Sequence, residues 1–148
     1  MSISFLMCSE RSGSNLIIKL LNGHSKICGP STKHIINPVA RNLFRYGDIT
    51  KKTNRNALLS DIAYLMSVDF SVWKKSFSLA ELRKLAVPGD IATLIKNIFL
   101  EEAMAHGKEH VFIKENHTYE FFPFLLINYP EAKYIYQVRD PRDMALSW

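Results

Sequence analysis

Cysteine is scarce in this chain. Only Cys8 and Cys28 occur, each beside apolar residues and with no CxxC or histidine-rich spacing, so neither a disulfide scaffold nor a zinc site is indicated and a reducing compartment is expected. Glycine and proline are limited to six each, and neither repeats nor low-complexity tracts occur, which excludes collagen-like and disordered chains. No apolar run is long enough for a membrane span. The N-terminal MSISFLMCSER has no basic leader segment and meets charge at Glu10 and Arg11, so no secretory signal is visible and a cytoplasmic protein is expected. Acidic residues are outnumbered, 14 against 19 Lys and Arg; the resulting charge of +5 suits an anionic ligand without choosing among phosphate, sulfate and nucleic acid.

What remains is ordinary globular composition: 148 residues, 47% hydrophobic, enough for one domain with one core. Residues 3–8, ISFLMC, read as a strand buried on both faces. A polar loop follows, and SNLIIKLLNGH then places Leu16, Ile17, Leu20 and Leu21 at helical spacing, with Gly23 suited to the C-terminal cap. Lys26 to Gly29 reads as a second short strand, and Pro30 to Asn56 is mixed, with weak helical signals from Val39 to Arg45. The spacing of Leu58, Leu59, Ile62, Leu65 and Met66 predicts a helix capped by Asn56. Ser78 and Glu81 form a capping-box pattern for a helix stopped by Pro88-Gly89, and Asp90 caps another running to His106. Roughly 57–107 is thus read as a helical insert within a single domain spanning 1–148.

His110 to Lys114 and Lys133 to Val138 are further strand-like runs, with FFPFLLI between them as a crossover helix. This alternation predicts an α/β fold, a P-loop-like three-layer α/β/α sandwich on a parallel sheet, with the loops after the strands gathered on one carboxyl edge. The final RDPRDMALSW reads as a strand end entering a helix that has barely begun, so a domain incomplete at the C-terminus is expected.

Two segments at that edge carry chemistry. In Ser9-Glu10-Arg11-Ser12-Gly13-Ser14-Asn15, a strand runs through a loop into a helix N-terminus, where unpaired amides and the helix dipole favour an anion. Gly13 permits close backbone approach, Ser12, Ser14 and Asn15 add polar groups, and Arg11 adds a forked cation. The GxxxxGK[ST] pattern of a Walker A loop is absent. In VRDPRDMALS, a strand delivers Arg139 to the same edge, and a helix starting near Pro141 or Arg142 carries Ser147, so that guanidinium and hydroxyl could share one phosphate. Taken singly, each segment is also readable as a solvated turn.

Together, in this order, they resemble the donor-binding elements of the sulfotransferases that use 3′-phosphoadenosine 5′-phosphosulfate (PAPS). ERSGSN resembles the 5′-phosphosulfate loop, with Arg11 in the basic position; Arg139 and Ser147 reproduce the spacing of the 3′-phosphate element; LLNGHSKICG resembles the Golgi and bacterial branches. The resemblance covers both ends well and residues 30–110 poorly. It implies sulfuryl transfer from PAPS to an acceptor hydroxyl or amine, without a metal. Arg11, Ser12, Gly13, Ser14, Asn15, Arg139 and Ser147 would bind the donor, and Arg11 would also stabilise charge on the leaving oxygen. His117, in IKENHT, would be the catalytic base, with Glu115 its nearest competitor; Pro30 and Ser31 stand where the tyrosylprotein branch carries a glutamate base. Leu16 occupies a position that is aromatic in cytosolic members.

The acceptor is left open among carbohydrate, peptide, lipid and small molecule, with no nucleic-acid or membrane partner expected. Lys51, Lys52 and Arg55 read as a solvated basic face. The rival readings are a truncated, catalytically inactive nucleotide-binding remnant and a P-loop kinase-like phosphotransferase.

Overall fold

The computed structural model describes residues 1–68 and 72–146. In chain order the elements are β1 (Ser2–Met7), α1 (Ser14–Asn22), β2 (Ile27–Cys28), α2 (Ile36–Asn42), a 3₁₀ turn at Leu43–Tyr46, α3 (Lys52–Ser67), α4 (Leu79–Leu85) and α5 (Ile91–Ala105). There follow β3 (His110–Lys114), a second 3₁₀ turn at Thr118–Phe121, α6 (Phe122–Asn128), β4 (Lys133–Tyr136) and α7 (Pro141–Ala145). The strands form one parallel sheet in the order β2-β3-β1-β4. The fold is therefore the expected α/β class with helices on both faces.

Alternation along β1 assigns the two layers. Ile3, Phe5 and Met7, with Val111 and Ile113 of β3, enter the larger core, where Leu58, Leu59 and Ile62 of α3, Leu82 of α4, Ile95 and Ile98 of α5 and Leu125 of α6 pack against them. Leu6 and Cys8, with Phe112 of β3, face the other way onto Ile18 of α1. An apolar residue at nearly every position from Ile3 to Cys8 is what a strand covered on both faces requires. The helices between 52 and 105 thus share the main core with the sheet. Among the described residues no helix is long and apolar enough to cross a membrane.

The connections diverge at the sheet centre. β1 leads to α1 on one face, whereas β3 leads to α6 on the other, although β1 and β3 are neighbours. Such a divergence opens a crevice at the carboxyl ends of the strands. The register keeps those ends level, with Leu6 opposite Lys114 and Met7 opposite Tyr136.

Several boundaries differ from the sequence expectation. α2 occupies a stretch that carries only weak helical periodicity, because its N-terminus is held by a group from outside the helix. α3 begins at Lys52, a turn before the expected Asn56 cap; Lys51 takes the cap position without a side-chain bond. Its first turn is polar and hence invisible to an apolar pattern. It is organised by Asp48, which accepts from the Thr50 amide and hydroxyl, and by Asn54, which donates to the Asp48 carbonyl. β4 is shorter than predicted and lies at a sheet edge, with Ile135, Tyr136 and Val138 exposed. Gly23 does cap α1, but in right-handed conformation, its amide bonding to the carbonyls of Leu20 and Leu21. The predicted caps at Ser78 and Asp90 are present, Ser78 and Glu81 forming a reciprocal capping box.

Phe5 joins the central strand to β4. Its ring stacks on Tyr134 at 5.5 Å and meets Tyr129 at 5.4 Å, and it is fully buried. Replacing it with Ala should lower unfolding free energy by about 4 kcal/mol in urea denaturation, since β1, paired on both sides, cannot collapse into the void.

Candidate functional site

The loop after β1 is folded around its own polar side chains. Arg11 has φ of 58° and Gly13 φ of 88°, so two left-handed residues wind the chain tightly into α1. The Ser12 hydroxyl donates to the Ser9 carbonyl at 2.8 Å, and the Gln137 side-chain amide donates to the Ser12 carbonyl at 2.6 Å. Gln137 also continues the β1–β4 ladder, its backbone amide bonding to the Met7 carbonyl. Gly13 caps α1 with no side-chain bond to the first-turn amides, and no acidic residue stands in that turn. Arg139, half-buried, lies across this loop with Nη1 donating to the Arg11 carbonyl at 2.9 Å. Asp140 caps α7, its side chain accepting from the Arg142 amide, and Pro141 takes the first helical position, where no amide is needed.

The end of β3 builds the opposite wall. Lys114 is buried, with Nζ donating to Asn116 Oδ1 at 2.6 Å. Burial pushes its ammonium pKa down, against the pull of Cys8, Glu10 and Glu115. Glu115, also buried, turns away from the crevice: Oε1 accepts from the amides of Ile35 and Ile36 at 2.6 and 3.0 Å, and Oε2 from Ile36 and Asn37 at 3.0 and 3.2 Å. This carboxyl is the N-terminal cap of α2, supplied across the fold. Burial raises its pKa, opposed by those amides and by Lys114. Thr32 Oγ1 donates to the Lys114 carbonyl, and the buried Lys33 ammonium donates to the carbonyls of Met66 and Val68 at the end of α3.

Two adjoining cavities open on this edge. The first, about 350 Å³, is lined by Glu10, Arg11, Gly13, Ser14, Asn15, Lys114, Asn116 and Arg139. The second, about 610 Å³, is lined by Asn15, Ile18, Lys19, Ser31, Thr32, His34, Lys114 and Asn116. Asn15, Lys114 and Asn116 form their common wall. The first cavity has three cations, Arg11, Lys114 and Arg139, against one carboxylate, Glu10, whose Oε1 is already engaged by Asn116 at 3.4 Å. It can receive a polyanion. Among the described residues no three His, Cys, Asp or Glu side chains converge on a metal-sized site.

Arg11, Gly13, Ser14, Asn15 and Arg139, though far apart in sequence, line one cavity. Ser12 sits behind it as a brace of the loop. Ser147 lies outside the described residues. His117 lies outside the lining of both cavities: Nε2 is 3.4 Å from Glu10 and Nδ1 is 3.3 Å from Glu120, so the ring ties the β1 loop to the turn after β3. Lys114, Asn116, Gln137 and His34 also belong to the edge, although none of the four is among the predicted site residues. A lysine ending an otherwise apolar strand, as in HVFIK, was the signal available for Lys114; nothing in the sequence marked Gln137 or His34.

The protein-family model described as "Sulfotransferase family" matches residues 4–148. Comparison with curated proteins and with solved structures found no match.

The cap contributed by Glu115 should be worth more than a surface ion pair. Glu115→Ala leaves the buried amides of Ile35 and Ile36 without acceptors, and unfolding free energy should fall by about 3 kcal/mol in urea denaturation, with α2 the first region to lose amide protection in hydrogen exchange.

Proposed function

The chain belongs to the sulfotransferase family, and on that footing we propose that its first cavity binds PAPS and that the sulfuryl group passes from there to an acceptor hydroxyl or amine in the second. The observation that carries this reading is the meeting, in one cavity, of the β1 loop, the uncapped start of α1, Lys114 and Arg139.

In this reading the 5′-phosphosulfate lies against the loop, where the first amides of α1 and the Arg11 guanidinium face its oxygens. Ser14 and Asn15 add polar groups, and Gly13 leaves room for the anion beside the backbone. Arg139 takes the 3′-phosphate, with Ser147 its expected companion; its bond to the Arg11 carbonyl couples the two phosphate sites through one loop. The acceptor oxygen or nitrogen attacks sulfur in line, the bond from sulfur to the bridging oxygen breaks, and negative charge gathers on the departing phosphate. Arg11 answers that charge. Lys114, the cation in the wall common to both cavities, can neutralise the oxygens of the transferred group. Its low local hydration strengthens that effect. The product nucleotide is 3′-phosphoadenosine 5′-phosphate (PAP).

Arg11→Ala and Arg139→Ala should each weaken PAP binding about 10- to 100-fold in titration calorimetry, the loss of one charge-assisted contact set. Binding to the unaltered protein should weaken as salt is raised. Unchanged affinity in both variants would overturn the assignment.

A further inference from the structure

The second cavity contains one group that can take a proton and has no other task. His34 makes no hydrogen bond among the described residues, in contrast to its sequence neighbours. Thr32 is tied to the end of β3, Lys33 to the end of α3, and the amides of Ile35, Ile36 and Asn37 to Glu115. The residue in the middle of this clamp has φ of 53°, a left-handed conformation that costs a histidine energy and is kept only because both flanks are anchored. The clamped residue lines the cavity wall together with Lys114 and Asn116, which also line the first cavity. Arg11 and His117, the other non-glycine residues with positive φ among the described residues, lie in the loops after β1 and β3, so all three occupy loops of the carboxyl edge.

Resting on the sulfuryl-transfer reading, we propose that His34 is the catalytic base, receiving the proton of the acceptor hydroxyl or amine held in the second cavity. As the acceptor's oxygen or nitrogen forms its bond to sulfur, the sulfur–oxygen bond to the 5′-phosphate breaks and its electron pair stays on that phosphate. The acceptor's proton goes to the His34 imidazole and from there to solvent. No further reactant is needed.

The electrostatic setting suits the task. Burial holds the His34 pKa below its ordinary 6.5; Lys114 and His117 push the same way and Glu10 opposes them. Lys19, also in the cavity lining, is the remaining charged group there. The imidazole is therefore neutral at neutral pH and ready to accept a proton. His117, held between Glu10 and Glu120, has both ring nitrogens engaged.

The test uses the whole chain, ³⁵S-labelled PAPS, and three acceptor probes: p-cresol, glucosamine and a tyrosine-containing peptide. His34→Asn keeps a residue that tolerates the left-handed backbone while removing the base; His34→Gly removes both strain and side chain. With the best probe, His34→Asn should lower kcat about 100-fold with PAP affinity unchanged by calorimetry, and the acid limb of the kcat/KM profile should disappear. Added imidazole should restore turnover to His34→Gly and not to His117→Ala. Turnover in His34→Asn equal to that of the unaltered chain, including none in either, overturns the role of His34, as does rescue confined to His117→Ala or loss of PAP affinity in His34→Asn. Failure of the unaltered chain to bind PAP overturns the sulfotransferase reading itself, and with it this assignment.

Discussion

The whole arrangement depends on a central strand that has no solvent side. With Ile3, Phe5 and Met7 facing one layer and Leu6 and Cys8 the other, β1 can be stable only if it is covered by helices above and below and paired on both edges. Parallel neighbours satisfy the pairing, and parallel pairing sends every return connection over a face of the sheet. The loops that follow the strands consequently meet at one edge. Because α1 and α6 leave that edge on opposite faces, the loops stand apart there, and the polar groups they carry border open space.

This constraint explains which parts of the fold were legible in the sequence. The apolar run 3–8 and the strand-like 110–114 announced β1 and β3, and the Gly13, Ser78 and Asp90 signals marked helix starts that the structure contains. α2 was not legible because its cap, Glu115, is about eighty residues away in sequence, and a cap search looks only a few residues upstream. The first turn of α3 escaped for a related reason: it is held by Asp48 and Asn54 side chains and displays no apolar face. β4 ends short of the strand-like run to Val138 because Gln137 still donates to Met7 while its side chain has already turned to serve the β1 loop.

The site was legible to a different degree. Motif spacing marked Arg11, Gly13, Ser14, Asn15 and Arg139, which border one cavity. A carboxylate and an imidazole after a strand are chemically suggestive in sequence; in the fold the Glu115 oxygens accept from amides at the start of α2, and the His117 ring nitrogens lie against the carboxylates of Glu10 and Glu120. His34 carries no such mark, since a histidine in STKHIINP matches no pattern. What distinguishes it is conformational: an L-residue held in left-handed geometry by bonds made from its neighbours and not from itself. Such a property exists only once the chain is folded.

The pairing of β1 carries a further consequence for how the molecule comes into being. Ser2 meets His110 across 108 residues of chain, and Gln137 reaches Ser12 across 125. β1 is thus synthesised more than a hundred residues ahead of the strands it pairs with. Contact order is high by design of the topology, and early collapse can order α3, α4 and α5 among themselves well before the sheet closes. Until β3 and β4 arrive, β1 has no permanent place, and the loop attached to it takes its final form only when Gln137 docks.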